Sequence, residues 1–165
     1  VSPSTNDDAW QLLQLVEDPE IPVLNVVEMG IVRDVQVTED QLEVAITPTY
    51  SGCPAMDAIA DAIRQKLGEA FSLPVVVKTV FQPAWTTDWM TDEARRKLKE
   101  YGIAPPKTKP CGSPKKPWME EPDNASCPFC NASETSLTSA FGSTACKSLH
   151  YCHACHQPFE HFKCI

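Results

Sequence analysis

Two Cys-x-x-Cys pairs, Cys127/Cys130 and Cys152/Cys155, stand 21 residues apart near the end of this 165-residue chain. A two-residue gap lets a tight turn aim both sulfurs at one ion about 2.3 Å away, and two such turns complete a tetrahedron of thiolates. The spacing predicts a zinc ribbon. Its ion would be structural, because four protein sulfurs leave no open position at which water could be activated. Cys146 and Cys164 are isolated in the sequence and are the alternative ligands, as are His150, His153, His156 and His161. Should Cys146 and Cys164 lie together, they would make a second thiol site or a redox pair.

The other use of eight cysteines is disulfide bonding, which needs an oxidising compartment. Residues 1–8, VSPSTNDD, carry no basic segment followed by an apolar core, so no signal peptide is visible. No apolar run approaches the roughly 20 residues of a membrane span. The expectation is a cytoplasmic chain with reduced thiols and no membrane partner. Charge is divided unevenly: residues 1–105 hold 17 acidic and 8 basic side chains, and residues 106–165 hold 5 and 6. Neither part has the basic stripe that displaces counterions from phosphates, so nucleic acid is excluded as the expected ligand.

That shift in composition predicts two units joined by a linker. Residues 1–105 read as an α+β domain, 106–117 as a proline-rich linker, and 118–165 as the zinc ribbon. Five prolines fall between Pro105 and Pro117, which disfavours helix and removes backbone donors. Cys111 sits among them with no neighbouring thiol and takes no role. The ribbon segment is shorter than 50 residues, a size at which burial alone rarely offsets chain entropy, so metal binding would supply part of its folding free energy.

In the first unit, Asp8 to Val16 places Trp10, Leu13 and Val16 at helical spacing, and Asp18-Pro-Glu-Ile-Pro22 breaks the helix. Ile31 to Val37 and Leu42 to Ile46 alternate apolar and polar residues about a short polar turn, which reads as an antiparallel hairpin, with a third strand at Val75 to Phe81. A second helix carries Ile59, Ile63 and Leu67 on one stripe. Pro54 suits the start of that helix and sets Cys53 at or beside its cap, where amides and dipole would favour a thiolate. Cys53 is the candidate reactive thiol. No histidine precedes His150, so a local Cys-His catalytic pair is excluded. One cysteine cannot hold a cluster alone; further ligands would come from the second unit, from a homodimer that brings two Cys53 thiols together, or from a client protein. Thr91 reads as the cap of a third helix, Asp92 to Tyr101. Trp85 and Trp89 read as anchors over a sheet edge or, alternatively, as a partner surface.

Four segments, Asp18 to Pro22, Met29-Gly-Ile-Val32, Thr47 to Pro54, and Trp85 to Arg95, resemble the DUF59 (MIP18) family of iron-sulfur assembly factors. The resemblance spans roughly residues 8–105. It implies a compact α+β fold, a role in maturing or carrying iron-sulfur clusters, and a reactive cysteine at Cys53 that binds a transient cluster. Longer strings are similar to the PaaD family of phenylacetyl-CoA epoxidase components: Pro48 to Ala55, Pro83 to Met90, Tyr101 to Pro106, Phe141 to Cys146, and Phe162 to Cys164. This second resemblance implies phenylacetate degradation, with the reductase and oxygenase components of the epoxidase as partners.

The residues test which part such a chain could play. A di-iron carboxylate oxygenase needs Glu-x-x-His motifs, and none occurs. A reductase needs a glycine-rich dinucleotide fingerprint or plant-type cluster spacing, and neither occurs. The expectation is therefore an assembly factor without independent catalytic activity, which serves the reductase through Cys53 and uses the ribbon for docking. The alternative is a structural or electron-transfer component of the epoxidase complex.

Overall fold

The computed structural model describes residues 5–107 and 125–165. The expected linker lies mostly outside the described residues, and Cys111 lies wholly outside them. The fold class is α+β, in two compact units, Val1–Trp85 and Thr86–Ile165.

In the first unit, helix α1 (Asn6–Leu13) starts and ends earlier than its apolar spacing suggested. The Thr5 side chain accepts from the Asp8 amide while Asp8 accepts from the Thr5 amide, a reciprocal cap that fixes the start. Ala9 and Leu13 form the buried face, and Trp10 stays half-buried. Strands β1 (Val32–Val37) and β2 (Leu42–Ile46) make the expected antiparallel hairpin. A bulge between Val32 and Asp34 shifts the register, so the buried residues of β1 are Val32 and Val35. Helix α2 (Ala55–Phe71) buries Ile59, Ile63 and Leu67 as its stripe predicts and connects β2 to β3 (Val75–Thr79), which pairs parallel to β2. A helix is the usual connection between parallel strands. Trp85 is buried and its Nε1 donates to the Met29 carbonyl at 3.0 Å, so this tryptophan anchors its loop.

The second unit begins well before the ribbon. After a 3-10 turn at Thr87–Trp89 comes α3 (Asp92–Tyr101), capped by Thr91 as expected and ended by Gly102 at φ +93°. A Cβ at Gly102 would meet the Phe129 ring at 3.1 Å, so glycine is needed both for backbone hand and for space. Strand β4 (Ile103–Ala104) then joins a four-stranded sheet in the order β4-β7-β6-β5, with β5 at Thr135–Ser139, β6 at Lys147–Cys152 and β7 at Pro158–Phe162. Neither β4 nor β7 was expected. Residues 86–105, expected with the first unit, belong to the second because β4 pairs parallel with β7 and Ala104 packs into the core with Ala125, Cys127, Cys152 and Phe159. Arg95 reinforces this arrangement by donating to the carbonyls of Thr87 and Pro106, both at 2.9 Å.

One ion pair braces this sheet. Lys147 is buried, and its Nζ lies 2.9 Å from Glu160 Oε2, while Glu160 Oε1 accepts from the Ser143 amide. Burial opposes ionisation of Glu160, but the Ser143 and Lys147 contacts outweigh it and hold the carboxyl below its usual range. A carboxyl that titrates lower in the folded chain contributes fully above its unfolded range, and the contribution disappears as pH falls through the folded value. Glu160→Gln should therefore destabilise the second unit by about 2 kcal/mol at neutral pH. The gap between variant and wild type should narrow as pH falls through the ordinary carboxylate range and close below it, as read by thermal melts across pH.

Candidate functional site

The four knuckle cysteines converge. Their sulfurs all lie within 4.8 Å of one another, with Cys127 to Cys155 and Cys130 to Cys152 both at 3.6 Å. A tetrahedron with bonds of about 2.3 Å has edges of about 3.8 Å, so the donors already stand near the spacing a zinc ion needs. The two turns are built alike. Asn131 donates to the Cys127 carbonyl at 2.9 Å and His156 to the Cys152 carbonyl at 3.0 Å. Return bonds run from the Cys127 amide to Ala132 and from the Cys152 amide to Gln157, both at 3.0 Å. Asn131 and His156 take the left-handed conformation, at φ 61° and 60°, which reverses the chain after the second cysteine of each pair. Sequence reading assigned neither residue that part, since glycine is the usual signal for it.

Electrostatics within the cluster also suit a cation. The Cys155 amide lowers the Cys152 thiol to about 7, whereas burial and the neighbouring sulfurs push Cys155 up to about 12. Clustered thiols cannot all ionise without a positive charge among them. The four-cysteine group could hold one metal ion, with all four positions filled by protein.

Cys146 and Cys164 are not part of this group. Cys146 is buried with its Sγ 3.0 Å from Thr144 Oγ1, and Cys164 is disulfide-bonded, against the expectation that every thiol is reduced. His150 and His161 are buried elsewhere in the sheet, while His153 and His156 are exposed beside the second turn and bond Ser136 and Tyr151.

Cys53, in the first unit, is half-buried on the loop between β2 and α2. Its environment corrects the sequence reading. Pro54 is the cap of α2, so Cys53 precedes the cap, and its thiol is raised rather than lowered. Burial is the main cause. The Ala55 amide and the Thr49 hydroxyl favour a thiolate, but the Glu20 and Asp18 carboxylates oppose it. Asp18 is held by the amides of Glu20 and Ile21, at 2.8 and 2.9 Å, so the turn that breaks the chain after α1 also brings acid toward the sulfur. Sequence reading took Asp18-Pro-Glu as a helix breaker and missed this electrostatic part.

Comparison with known proteins bears on both sites. The sequence profile of the PaaD zinc beta ribbon domain matches residues 112–163, and that of an iron-sulfur cluster assembly protein matches residues 6–79. Over all 165 residues the chain is 44% identical to an Escherichia coli K12 protein provisionally named as a component of 1,2-phenylacetyl-CoA epoxidase, and covers 96% of it. The chain belongs to the PaaD family. The first part of this PaaD-family chain is also similar to proteins that carry other names. Over 96 residues, 57% of this chain and 90% of the relative, it is 36% identical to an Fe-S protein maturation auxiliary factor of Porphyromonas gingivalis. A DUF59 domain structure from Bacillus anthracis aligns with a TM-score of 0.52 at 26% identity, covering 56% of this chain and 89% of that one. A conserved hypothetical protein of Thermotoga maritima aligns with a TM-score of 0.51 at 29% identity, covering 59% and 97%. No helix among the described residues is long and apolar enough to cross a membrane.

For this PaaD-family chain the four ribbon cysteines and Cys53 should separate cleanly on mutation. Cys127→Ser or Cys155→Ser should release the ribbon's ion and melt the second unit, whereas Cys53→Ser should leave both unchanged. Elemental analysis paired with circular dichroism reads the difference.

Proposed function

We propose that this protein is a cytoplasmic iron-sulfur assembly factor that supports the reductase component of phenylacetyl-CoA epoxidase, with Cys53 as the exchange thiol and a structural zinc ion in the ribbon. The observation that carries the reading is the contrast between two kinds of sulfur site. The ribbon's four sulfurs make a closed shell suited to permanent retention. Cys53 is a single half-buried thiol whose surroundings favour its protonated form. Such a sulfur holds cationic cargo only while further ligands help, and it lets go readily.

The transfer can be written with every proton in place. Iron of the cargo binds Cys53 as the thiol proton departs. At the client, a cysteine thiol loses its proton and forms the new iron–sulfur bond as the bond to Cys53 breaks, and Cys53 takes a proton back. Burial and the acidic turn make that last protonation favourable, so they promote delivery. The Thr49 hydroxyl and Ala55 amide act in the opposite sense and steady the sulfur while it is loaded. The likeness to an Fe-S protein maturation auxiliary factor supports this reading of the first unit. The likeness to a protein named as an epoxidase component supports the second reading, a stoichiometric member of the complex.

Two measurements separate the readings. In cells carrying Cys53→Ser, the reductase should contain severalfold less iron and acid-labile sulfide than in the wild type; a fully loaded reductase would reject the exchange thiol. With a reductase loaded beforehand, the purified epoxidase should turn over at full rate when this chain is omitted. A rate that depends on adding the chain would favour the component reading.

A further inference from the structure

The sheet of the first unit ends in two unlike edges. Strand β1 is blunted, as solvent-facing edges usually are. A bulge interrupts it between Val32 and Asp34, its exposed residues are Arg33, Asp34 and Gln36, and Asn6 Oδ1 accepts from the Val37 amide at 2.8 Å. Strand β3, at the other edge, keeps a regular register over Val75–Thr79. Its three valines are only half-buried, and Lys78 and Thr79 are exposed. Among the described residues no strand pairs beyond it.

The ladder shows which backbone groups of β3 are left over. The Leu42 amide donates to the Pro74 carbonyl at 2.9 Å, and the Val80 amide donates to the Ile46 carbonyl at 2.8 Å. Bonded residues alternate along a parallel ladder, so Pro74, Val76, Lys78 and Val80 face β2, while Val75, Val77 and Thr79 turn their amides and carbonyls outward. Side chains alternate as well. Val75 and Val77 continue the core face of Leu42 and Val44, under α2, where a Cβ at Gly68 would lie 3.9 Å from Val75. Val76 and Lys78 share the outer face with Glu43, whose Oε2 lies 2.6 Å from Lys78 Nζ.

We infer that β3 is a self-association edge, which pairs antiparallel with β3 of a second copy about a two-fold axis at Val77 and joins the two sheets into one. This register is self-complementary. Val77 meets Val77 and Val75 meets Thr79, so every outward amide of one copy finds an outward carbonyl of the other. The valines form one apolar row on the core face. On the outer face Lys78 of each copy stands opposite Val76 of the other, whose neighbour on β2 is Glu43, so carboxylates of both copies flank each lysine. Phe81, exposed beyond the strand, is carried toward Leu73 of the second copy. Parallel pairing in register would instead set Lys78 beside Lys78 and turn the apolar face of one sheet to the polar side of the other. A foreign strand would satisfy the same amides, but this chain's own sequence supplies the valine row and the charge match. Cys53 follows the end of β2, so the pairing sets the two Cys53 loops at opposite ends of the joined sheet and does not build one site from two Cys53 thiols.

Sedimentation equilibrium of the full chain tests the pairing. The average mass should rise with concentration from 18.2 kDa toward twice that value. Val77→Pro removes only an outward amide, and proline is tolerated where an edge strand's amide faces away from its sheet. By symmetry it deletes two bonds between the copies and should raise the dissociation constant about tenfold or more. Val76→Lys sets lysine against Lys78 of the other copy and should weaken the dimer most at low salt. Circular dichroism checks that each variant is folded. A wild type that stays at the monomer mass at every concentration overturns the inference, as does a dimer that either folded variant leaves as strong as before. If neither variant folds, hydrogen exchange of the wild type decides. The amides of Val75, Val77 and Thr79 should exchange more slowly as concentration rises, and rates independent of concentration would overturn the pairing.

Discussion

The second unit depends on the convergence of four sulfurs. Around Cys127 and Cys152 pack Ala104, Ala125 and Phe159, with Ala132 and Cys155 at the margin. Small side chains suit a centre whose volume is taken by a metal and its thiolates. The same convergence orders the backbone. Each turn closes with a matched pair of hydrogen bonds and one left-handed residue, and Cys152 ends β6 where that strand must meet the site. Without a cation the thiols ionise unequally: the Cys155 amide pulls Cys152 down, and burial, with the neighbouring sulfurs after it, pushes Cys155 up. Binding a cation relieves that conflict, which is why metal and fold are linked.

Around this centre the unit is larger than a ribbon alone. Strand β4 is only two residues long, yet it adds an edge to the sheet and delivers Ala104 into the core. Helix α3 comes with it, because Gly102 reverses the chain directly from the helix into β4, and the Phe129 ring of the first turn lies against that glycine. The braced Lys147–Glu160 pair serves the opposite face, where Glu160 also fixes the Ser143 amide and leaves no room for a side chain at Gly142. These contacts turn a fragment too short for a core into a unit that begins at Thr86.

The first unit handles its sulfur in a contrary way. Cys53 has no companion cysteine in the first unit, and its neighbours include carboxylates as well as donors. A helix start nearby does not by itself make a thiolate. Pro54 carries no amide proton, Pro54 rather than Cys53 occupies the cap, and burial outweighs the one amide that reaches the sulfur. The proximity of Asp18 and Glu20 follows from a turn more than thirty residues earlier in the chain, whose hydrogen bonds are local but whose placement is not.

Local patterns were legible from the amino acids: the hairpin of β1 and β2, the stripe of α2, the cap of α3 and both Cys-x-x-Cys turns. Each is set by contacts within a few residues, through side-chain period, capping oxygens or ligand spacing. The parallel pairing of β3, the β1 bulge, the addition of β4 and β7 to the ribbon sheet, and the thiol state of Cys53 were not legible, because each depends on residues distant in sequence. The sequence by itself determined that four thiols would seek one metal and that Cys53 would stand at a loop before a helix. Only the tertiary structure decided where the second unit starts and whether Cys53 favours its proton, since strand pairing and burial arise from the folded chain rather than from any short segment of it.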